Sequence, residues 1–201
     1  MKTTIITLAT ILTLGLGTVN TVKANGFNDS ATTVLTDVSN ITKIEVRGNV
    51  ELHVSNGIAD QVKVYNRYYA ENALVQNKNG VLRIASYSAK KLVVWVTAKD
   101  LRAIAAYDNA SVKSFGQLSA IELDVNLYNN ASAKLDINSY SANINVTDKA
   151  KADLTGSVDG YELNYGRSTS VNYTNLVALH NAHIVRASEP YFIDRSELAV
   201  L

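Results

Sequence analysis

The sequence predicts an all-β fold, and more narrowly a right-handed parallel β-helix-like solenoid with N-terminal strands packed at one end. Three observations support this prediction. A block of about 20 residues recurs between Ile104 and Leu179, apolar residues alternate within each copy, and no stretch has the periodicity of a long helix. Solenoids that contribute one strand-turn-strand unit per rung have this kind of sequence.

The spacing between copies of the block is nearly constant. Leu127, Val146 and Tyr165 occupy equivalent, evenly spaced positions, and Ala106 precedes Leu127 by an interval only slightly longer. The copies cover residues 104–112, 125–135, 144–154 and 163–171, with a shortened copy at 177–181. We therefore expect about four stacked rungs in the C-terminal half.

The alternation within each copy assigns side chains to an inner and an outer face. Apolar residues such as Val125 and Leu127 point into the stack, so their polar neighbours point outward. Equivalent residues of successive rungs then form vertical columns, and the asparagines can bond along one of them. The outward strip is our candidate ligand-binding surface, with Tyr128 as an aromatic platform; its residues are Asp124, Asn126, Tyr128, Asn143, Asn145, Glu162 and Asn164. The alternative is a solvated face with an amide ladder that only supports the solenoid.

The region before the repeats contains shorter strand patterns. Alternation begins at Ile44 and continues through Val54, after which Asn56-Gly57 predicts a turn. Residues 70–75 could form one helical turn, which 77–80 would end. The run 92–96 is apolar throughout, which predicts a strand buried on both faces or packed beneath the lead-in strands.

The N-terminus has the features of a cleaved secretory signal. Lys2 precedes an apolar run from Ile5 to Leu16, and Val22-Lys23-Ala24 supplies small residues at a cleavage site. The run is shorter than the roughly 20 residues that a membrane helix needs. We predict a signal peptide at 1–24, a flexible lead-in at 25–40, one domain at 41–190 and a tail at 191–201. The chain would then be exported to the periplasm, cell surface or medium, without a membrane span after cleavage.

Composition narrows the function classes. The 19 Lys and Arg residues nearly balance the 18 Asp and Glu residues, so no basic field for nucleic acid is expected. The absence of cysteine excludes disulfides and cysteine-metal sites.

Candidate chemistry is sparse, and we expect no metal or cofactor. His180 and His183 would face opposite sides of a strand, and His53 is remote in sequence, which argues against zinc. The scattered aspartates do not follow a calcium-loop pattern. No histidine adjoins a serine in a nucleophile pattern, and no acid-base pair is evident.

A family resemblance accompanies these patterns. The order 44–48, 50–54, 79–84, 92–96 and 101–104, followed by the repeated turns, resembles the autotransporter adhesin "head GIN" domain family of exported bacterial proteins. The resemblance covers about residues 40 to 185. It implies a stacked β fold at the cell envelope. Relatives often have Gly-Ser-Gly at the repeated turns, whereas this chain has 108–110, 129–131 and 148–150 there, with Asp or Asn first. Those residues tolerate left-handed backbone angles, so the same turn geometry is expected.

These observations together predict a non-catalytic, exported binding or adhesion module whose partner is a glycan or a surface protein. The alternative is a polysaccharide-acting lyase or hydrolase built on a β-helix. That alternative rests on fold analogy alone, which is weak evidence for an activity.

Overall fold

The structure, a computed structural model, describes residues 32–35, 38–65 and 73–186. Every regular element in these ranges is a β-strand and none is a helix, which confirms the predicted all-β class. The strands are β1 (Thr32–Leu35), β2 (Lys43–Gly48), β3 (Val50–Asn56), β4 (Gln61–Tyr65), β5 (Ala73–Lys78), β6 (Val81–Ser86), β7 (Leu92–Ala98), β8 (Ala103–Tyr107), β9 (Ser111–Leu127), β10 (Ser132–Val146), β11 (Lys151–Tyr165) and β12 (Ser170–Arg186).

The strands form two arrays joined through the long strand β9. The first array contains β1, β4, β7, β3 and then the start of β9, whereas the second contains β5, β6, β2, β8 and then the end of β9. Strands β10, β11 and β12 pair along their whole length and so continue both arrays. The sheet consequently curls into a half-barrel.

The sheet is mixed rather than purely parallel. Pairs β1–β4, β4–β7 and β5–β6 are antiparallel, and all other pairs are parallel. A parallel β-helix is therefore not confirmed as a description of the whole sheet. The parallel part agrees with the repeat, because β10 and β11 pair with an offset of one repeat from Ser132↔Lys151 to Val146↔Tyr165.

The N-terminal strands do not simply pack at one end, as the sequence analysis expected. Strand β2 pairs in parallel with both β6 and β8, and β3 lies between β7 and β9. Strands β2 and β3 are thus inserted between segments that follow them in sequence. The antiparallel strands lie at the outer ends of the two arrays instead, with β1 and β5 as edge strands and β4 between β1 and β7.

One local prediction in this region was wrong. Residues 73–78 form β5, not part of a helical turn, because they pair with β6 across a turn at Asn79 and Gly80. Those two residues have φ of 51° and 79°, as a two-residue hairpin turn requires. The chain also bends directly after Asn56-Gly57, where a turn was predicted, although β3 and β4 do not pair because β7 lies between them.

The apolar run in β7 is also only partly buried. Leu92, Val94 and Val96 point into the core, whereas Val93 and Trp95 are half-buried on the outer face. Trp95 is covered there by His53, whose ring stacks on it at 4.5 Å between centroids. The apolar outward residues therefore reflect an aromatic cluster and not a second buried layer.

The turns between repeats have the predicted backbone geometry. Asp108, Asn129 and Asp148 each have a φ between 58° and 60°. Each turn also supports its neighbour, since Asn129 Oδ1 accepts from the Asp108 amide at 3.4 Å and Asp148 Oδ2 accepts from the Asn129 amide at 2.8 Å. Arg167 stands at the next equivalent position without a positive φ.

One hydrophobic core runs through the stack from Ile41 to Leu176. The predicted signal peptide and C-terminal tail lie outside the described residues. Part of the predicted lead-in is ordered, because Thr32–Leu35 forms β1 and pairs with β4. None of the described residues form a helix that could cross a membrane.

Candidate functional site

The structure brings all seven residues of the predicted polar strip onto one outer face. They lie at the ends of β9, β10 and β11, where the register aligns Asp124 with Asn143 and Asn143 with Glu162. The same register aligns the three asparagines 126, 145 and 164. The intervening apolar residues are fully buried, so the predicted alternation is confirmed.

The asparagine column is a continuous side-chain ladder. Asn145 Nδ2 donates to Asn126 Oδ1 at 3.1 Å, and Asn164 Nδ2 donates to Asn145 Oδ1 at 3.2 Å. These half-buried amides therefore satisfy one another along the stack. Such bonds stabilise the rungs but leave few groups in the ladder for a ligand.

The outermost row of the strip has more free polar groups for a ligand than the asparagine ladder has. It consists of Asp124, Asn143 and Glu162, of which the last two are exposed. Within the described part of the chain, the Asp124 carboxylate makes no side-chain hydrogen bond. Asn143 and Glu162 each use one oxygen to accept from the neighbouring ladder asparagine, at 3.4 and 2.8 Å. The Asn143 amide nitrogen and the second Glu162 oxygen thus remain available for contact.

Tyr128 belongs to a stacked column that sequence analysis identified only in part. Its ring lies 4.8 Å from that of Tyr107 with an interplanar angle of 8°, and the Arg47 guanidinium lies 3.7 Å from the Tyr107 ring centroid. Tyr107 stands one repeat before Tyr128, so the repeat contained that signal. No local pattern pointed to Arg47. Because one face of Tyr128 is covered, the platform is less open than predicted.

An ion-pair group extends this face beyond the ladder. Glu45 accepts from Lys43 at 2.8 Å and from Arg83 at 3.1 Å. The hydrogen bond from Lys43 lowers the pKa of the Glu45 carboxyl, and Arg83 lowers it further. Ala105 is aligned between Glu45 and Asn126 and makes no polar contact, so it separates the ion pairs from the amide ladder.

Two grooves on other faces were not predicted. The cationic groove, of about 320 Å³, lies along the starts of β9 to β12 and is lined by Lys113, Lys134 and Lys151 with Asp153. The middle groove, of about 580 Å³, lies along the middle segments of the same strands. Both depend on which strands become neighbours, so a single repeat copy gives no signal for them.

The histidines lie apart from one another in the described structure. His180 and His183 are exposed on β12, and His53 lies on β3 beside Trp95. His180 Nδ1 is 2.6 Å from Asp159 Oδ1 at the edge of the middle groove. Across residues 32–35, 38–65 and 73–186, no three His, Cys, Asp or Glu side chains cluster with metal-site geometry.

Comparison with known proteins identifies the fold. A family profile described as "putative auto-transporter adhesin, head GIN domain" matches residues 40–189. A solved structure from Bacteroides fragilis, described as a putative adhesin, superposes with a TM-score of 0.65 at 16% identity and covers 78% of each chain. No curated protein sequence gave a significant match.

Two further solved structures have the same fold. One from Parabacteroides distasonis, described as a putative lipid binding protein, has a TM-score of 0.60 at 14% identity, covering 79% of this chain and 80% of its own. A putative adhesin from Parabacteroides merdae has a TM-score of 0.58 at 15% identity and covers 79% of each chain. At these identities the likeness establishes architecture and not a shared ligand.

Proposed function

Because the chain belongs to the family described as "putative auto-transporter adhesin, head GIN domain", we propose that it is a non-catalytic binding or adhesion module of the cell envelope. The observation that carries this proposal is the alignment of the strip residues on one outer face. In this proposal, the signal peptide at 1–24 directs export to the periplasm, cell surface or medium. The parallel rungs form a right-handed solenoid within one domain at 41–190.

The outer row of the strip is the contact surface in this proposal. Asp124, Asn143 and Glu162 repeat at the rung spacing of about 4.8 Å, so they present equivalent polar groups along a line. A glycan or a protein surface with regularly spaced hydrogen-bonding groups fits that arrangement. The Tyr107–Tyr128 stack lies across the asparagine ladder from the row and adds apolar contact area with two phenol hydroxyls.

A glycan array with two matched triple variants tests this proposal. The outer-row variant changes Asp124, Asn143 and Glu162 to Ala, whereas the ladder variant changes Asn126, Asn145 and Asn164 to Ala. We expect the outer-row variant to lose binding of the strip's ligand with a smaller fall in melting temperature than the ladder variant, because its side chains contribute two acceptor contacts to the ladder, at 3.4 and 2.8 Å. The ladder variant is expected to melt at a lower temperature, since its interlocking amide bonds are lost. Unchanged binding in both variants would exclude the strip as the contact surface.

A polysaccharide-acting enzyme is the second candidate. The close Asp159–His180 pair beside the middle groove favours it. A depolymerisation assay with the Asp159→Asn variant separates the two candidates. We expect no turnover by the wild-type protein, and turnover that disappears in the variant would favour the enzyme.

A further inference from the structure

The middle groove differs from the strip because its polar side chains are not used by the fold. The register aligns Ser119 with Asn138 and Asn138 with Ser157, so each rung contributes one outward polar side chain. Within the described residues, none of these three side chains makes a hydrogen bond. The Asn56 side chain holds the Ser119 backbone instead. Its Oδ1 accepts from the Ser119 amide at 2.8 Å, and its Nδ2 donates to the Ser119 carbonyl oxygen at 2.9 Å. Hydrogen bonds from Asn56 thus fix the backbone at this groove, while the donors and acceptors of these three side chains have no partner within the described protein.

An open aromatic ring lies among these groups. The Tyr140 side chain is 69% exposed, and no aromatic ring stacks on it among the described residues. Tyr107, Tyr128 and Trp95 are different, because a neighbouring ring covers at least one face of each. Tyr140 can therefore offer an apolar ring face to a ligand beside hydrogen-bonding groups, a combination suited to a sugar ring.

Apolar residues extend the ring into a short stripe. Ile121 and Leu179 also line the groove and are 84% and 64% exposed. The register places Ile121 one rung before Tyr140, since the flanking pairs Ala120↔Ser139 and Glu122↔Ser141 enclose them. The groove therefore has a polar column along one side, and along the other the apolar Ile121 and Tyr140 are followed by Asp159 and then by Leu179. Its volume of about 580 Å³ lies within the range of small-ligand sites.

The charges at the groove favour a neutral ligand over an anionic one. Its two carboxylates belong to Asp100, which is paired with Arg102, and Asp159, which is paired with His180. No lysine lines this groove, whereas three line the cationic groove on the neighbouring face. Asp159 Oδ1 is occupied by His180, which leaves Oδ2 to accept from a ligand hydroxyl.

We propose that the middle groove binds a neutral oligosaccharide, with Tyr140 stacked on one sugar ring and with Asn138 and Asp159 bonded to its hydroxyls. This inference rests on one part of the proposed function, namely that the protein is a binding module. It does not require that the polar strip contact any ligand. The strip lies on the end segments of β9 to β11, whereas the groove lies on their middle segments, so the two sites can be tested separately.

Isothermal titration with a panel of neutral hexasaccharides of glucose, mannose, xylose and galactose tests the proposal, with an oligogalacturonate as the anionic comparison. We expect at least one neutral hexasaccharide to bind and the oligogalacturonate not to bind. Tyr140→Ala is expected to weaken binding about tenfold without changing the melting temperature, because the ring is exposed. Tyr87→Ala is the matched control, since that ring is 73% exposed but lies outside the groove.

Asn138→Ala and Asp159→Asn are expected to weaken the same interaction, whereas Tyr87→Ala should retain it. Retained binding in Tyr140→Ala would overturn the groove assignment. So would the loss of binding in the outer-row variant alone, although that result would support the strip. Tighter binding of oligogalacturonate, or no binding of any neutral hexasaccharide, would refute the ligand class.

Discussion

Between Ser111 and Arg186, four long strands pair in parallel, whereas eight much shorter strands build the part between Thr32 and Tyr107. One outward column of the long strands is a neutral ladder, formed by the asparagines at 126, 145 and 164, while the pairs Lys134–Asp153 and Asp159–His180 lie at other positions. The short strands use charge pairs and aromatic stacks instead. Glu51, for example, contacts Lys113 at 2.8 Å, His53 at 3.1 Å and Lys91 at 3.4 Å.

The repeat itself explains the neutral ladder. Identical residues become neighbours when copies stack in register, and identical charges would then repel one another. An amide can donate to its own copy, so neutral asparagine suits a repeated position. Where neighbouring strands have unrelated sequences, complementary partners such as Glu45 and Arg83 can be placed opposite each other.

The largest expected effect comes from deleting strands from each part. Deleting Ser132 to Ala150 removes one complete repeat and joins Ala131 to Lys151, which is the equivalent of Ser132 in the next rung. We expect this shorter chain to fold, because each rung contacts mainly its neighbours. Circular dichroism should retain a β-sheet spectrum with a cooperative melt.

Deleting Lys43 to Asn56 is the matched removal from the short-strand part. It removes β2 and β3, which separate β6 and β7 from β8 and β9. We expect this chain not to fold, because the remaining strands lose their neighbours in both arrays. If the second deletion folded and the first did not, the repeat would not be the modular part.

Substitutions of two glycines compare a tight position in the stack with an open one. Gly156 has a φ of 115°, and a Cβ there would overlap the Ile137 carbonyl oxygen of the preceding rung. We expect Gly156→Ala to lower the free energy of unfolding by roughly 3 to 5 kcal/mol, since backbone must shift. Urea denaturation measures this change.

Gly116 is the control because it has positive φ without the contact. Its φ is 77°, and no atom lies within 4 Å of a Cβ built there. We expect Gly116→Ala to cost about 1 kcal/mol, the strain of a left-handed alanine. Equal losses at both positions would show that rung packing at Gly156 is not tight.

The repeated part was predictable from sequence because each copy specifies both its turn and its register. Asp148 at the turn and Val146 inside the stack follow directly from the period and the alternation. The outward position of the seven strip residues was predictable for the same reason. Arg47, which borders the strip, was missed. It contacts Tyr107 because β2 pairs with β8, and the repeat does not predict that pairing.

The short-strand part was less predictable because local patterns do not fix strand order. The dipeptide Asn-Gly occurs after β3 and after β5, but only Asn79-Gly80 closes a hairpin. The middle groove was missed for a related reason. It forms where the long strands bend between the two arrays, and Tyr140 acquires its setting from residues one rung away.

The dependence of the free energy of unfolding on pH should also distinguish the charge pairs of the short strands from the neutral asparagine ladder. The hydrogen bond from Lys113 lowers the pKa of the Glu51 carboxyl below its ordinary value of 4.5, and Lys91 contributes as well. A lowered pKa in the folded state means that the stabilisation is fully present above pH 4.5 and is lost as pH falls through the folded-state pKa. Glu51→Gln should therefore flatten the acid side of the stability profile, as measured by urea denaturation from pH 6 to about pH 3.

Asn145→Ala is the control for this profile. It removes neutral hydrogen bonds, so we expect a loss of about 1 kcal/mol that is the same at every pH. Other carboxylates, including Glu45, contribute the same acid slope to both proteins. A slope in Glu51→Gln as steep as in the wild type would show that the Glu51 contacts do not stabilise the short-strand part.

The smallest expected effect concerns Ser139, whose side chain has no ladder partner. It is 7% exposed, its hydroxyl oxygen is buried without a protein hydrogen-bond partner, and its aligned neighbours are Ala120 and Val158. Burying an unpaired hydroxyl costs free energy, so Ser139→Ala should raise the free energy of unfolding by about 1 kcal/mol. Ser119→Ala, at an exposed position one residue from Ala120, should leave it unchanged and serves as the control. A loss of stability in Ser139→Ala would mean that the hydroxyl has a partner in solution, and the repeated part would then depend on a polar contact within its core.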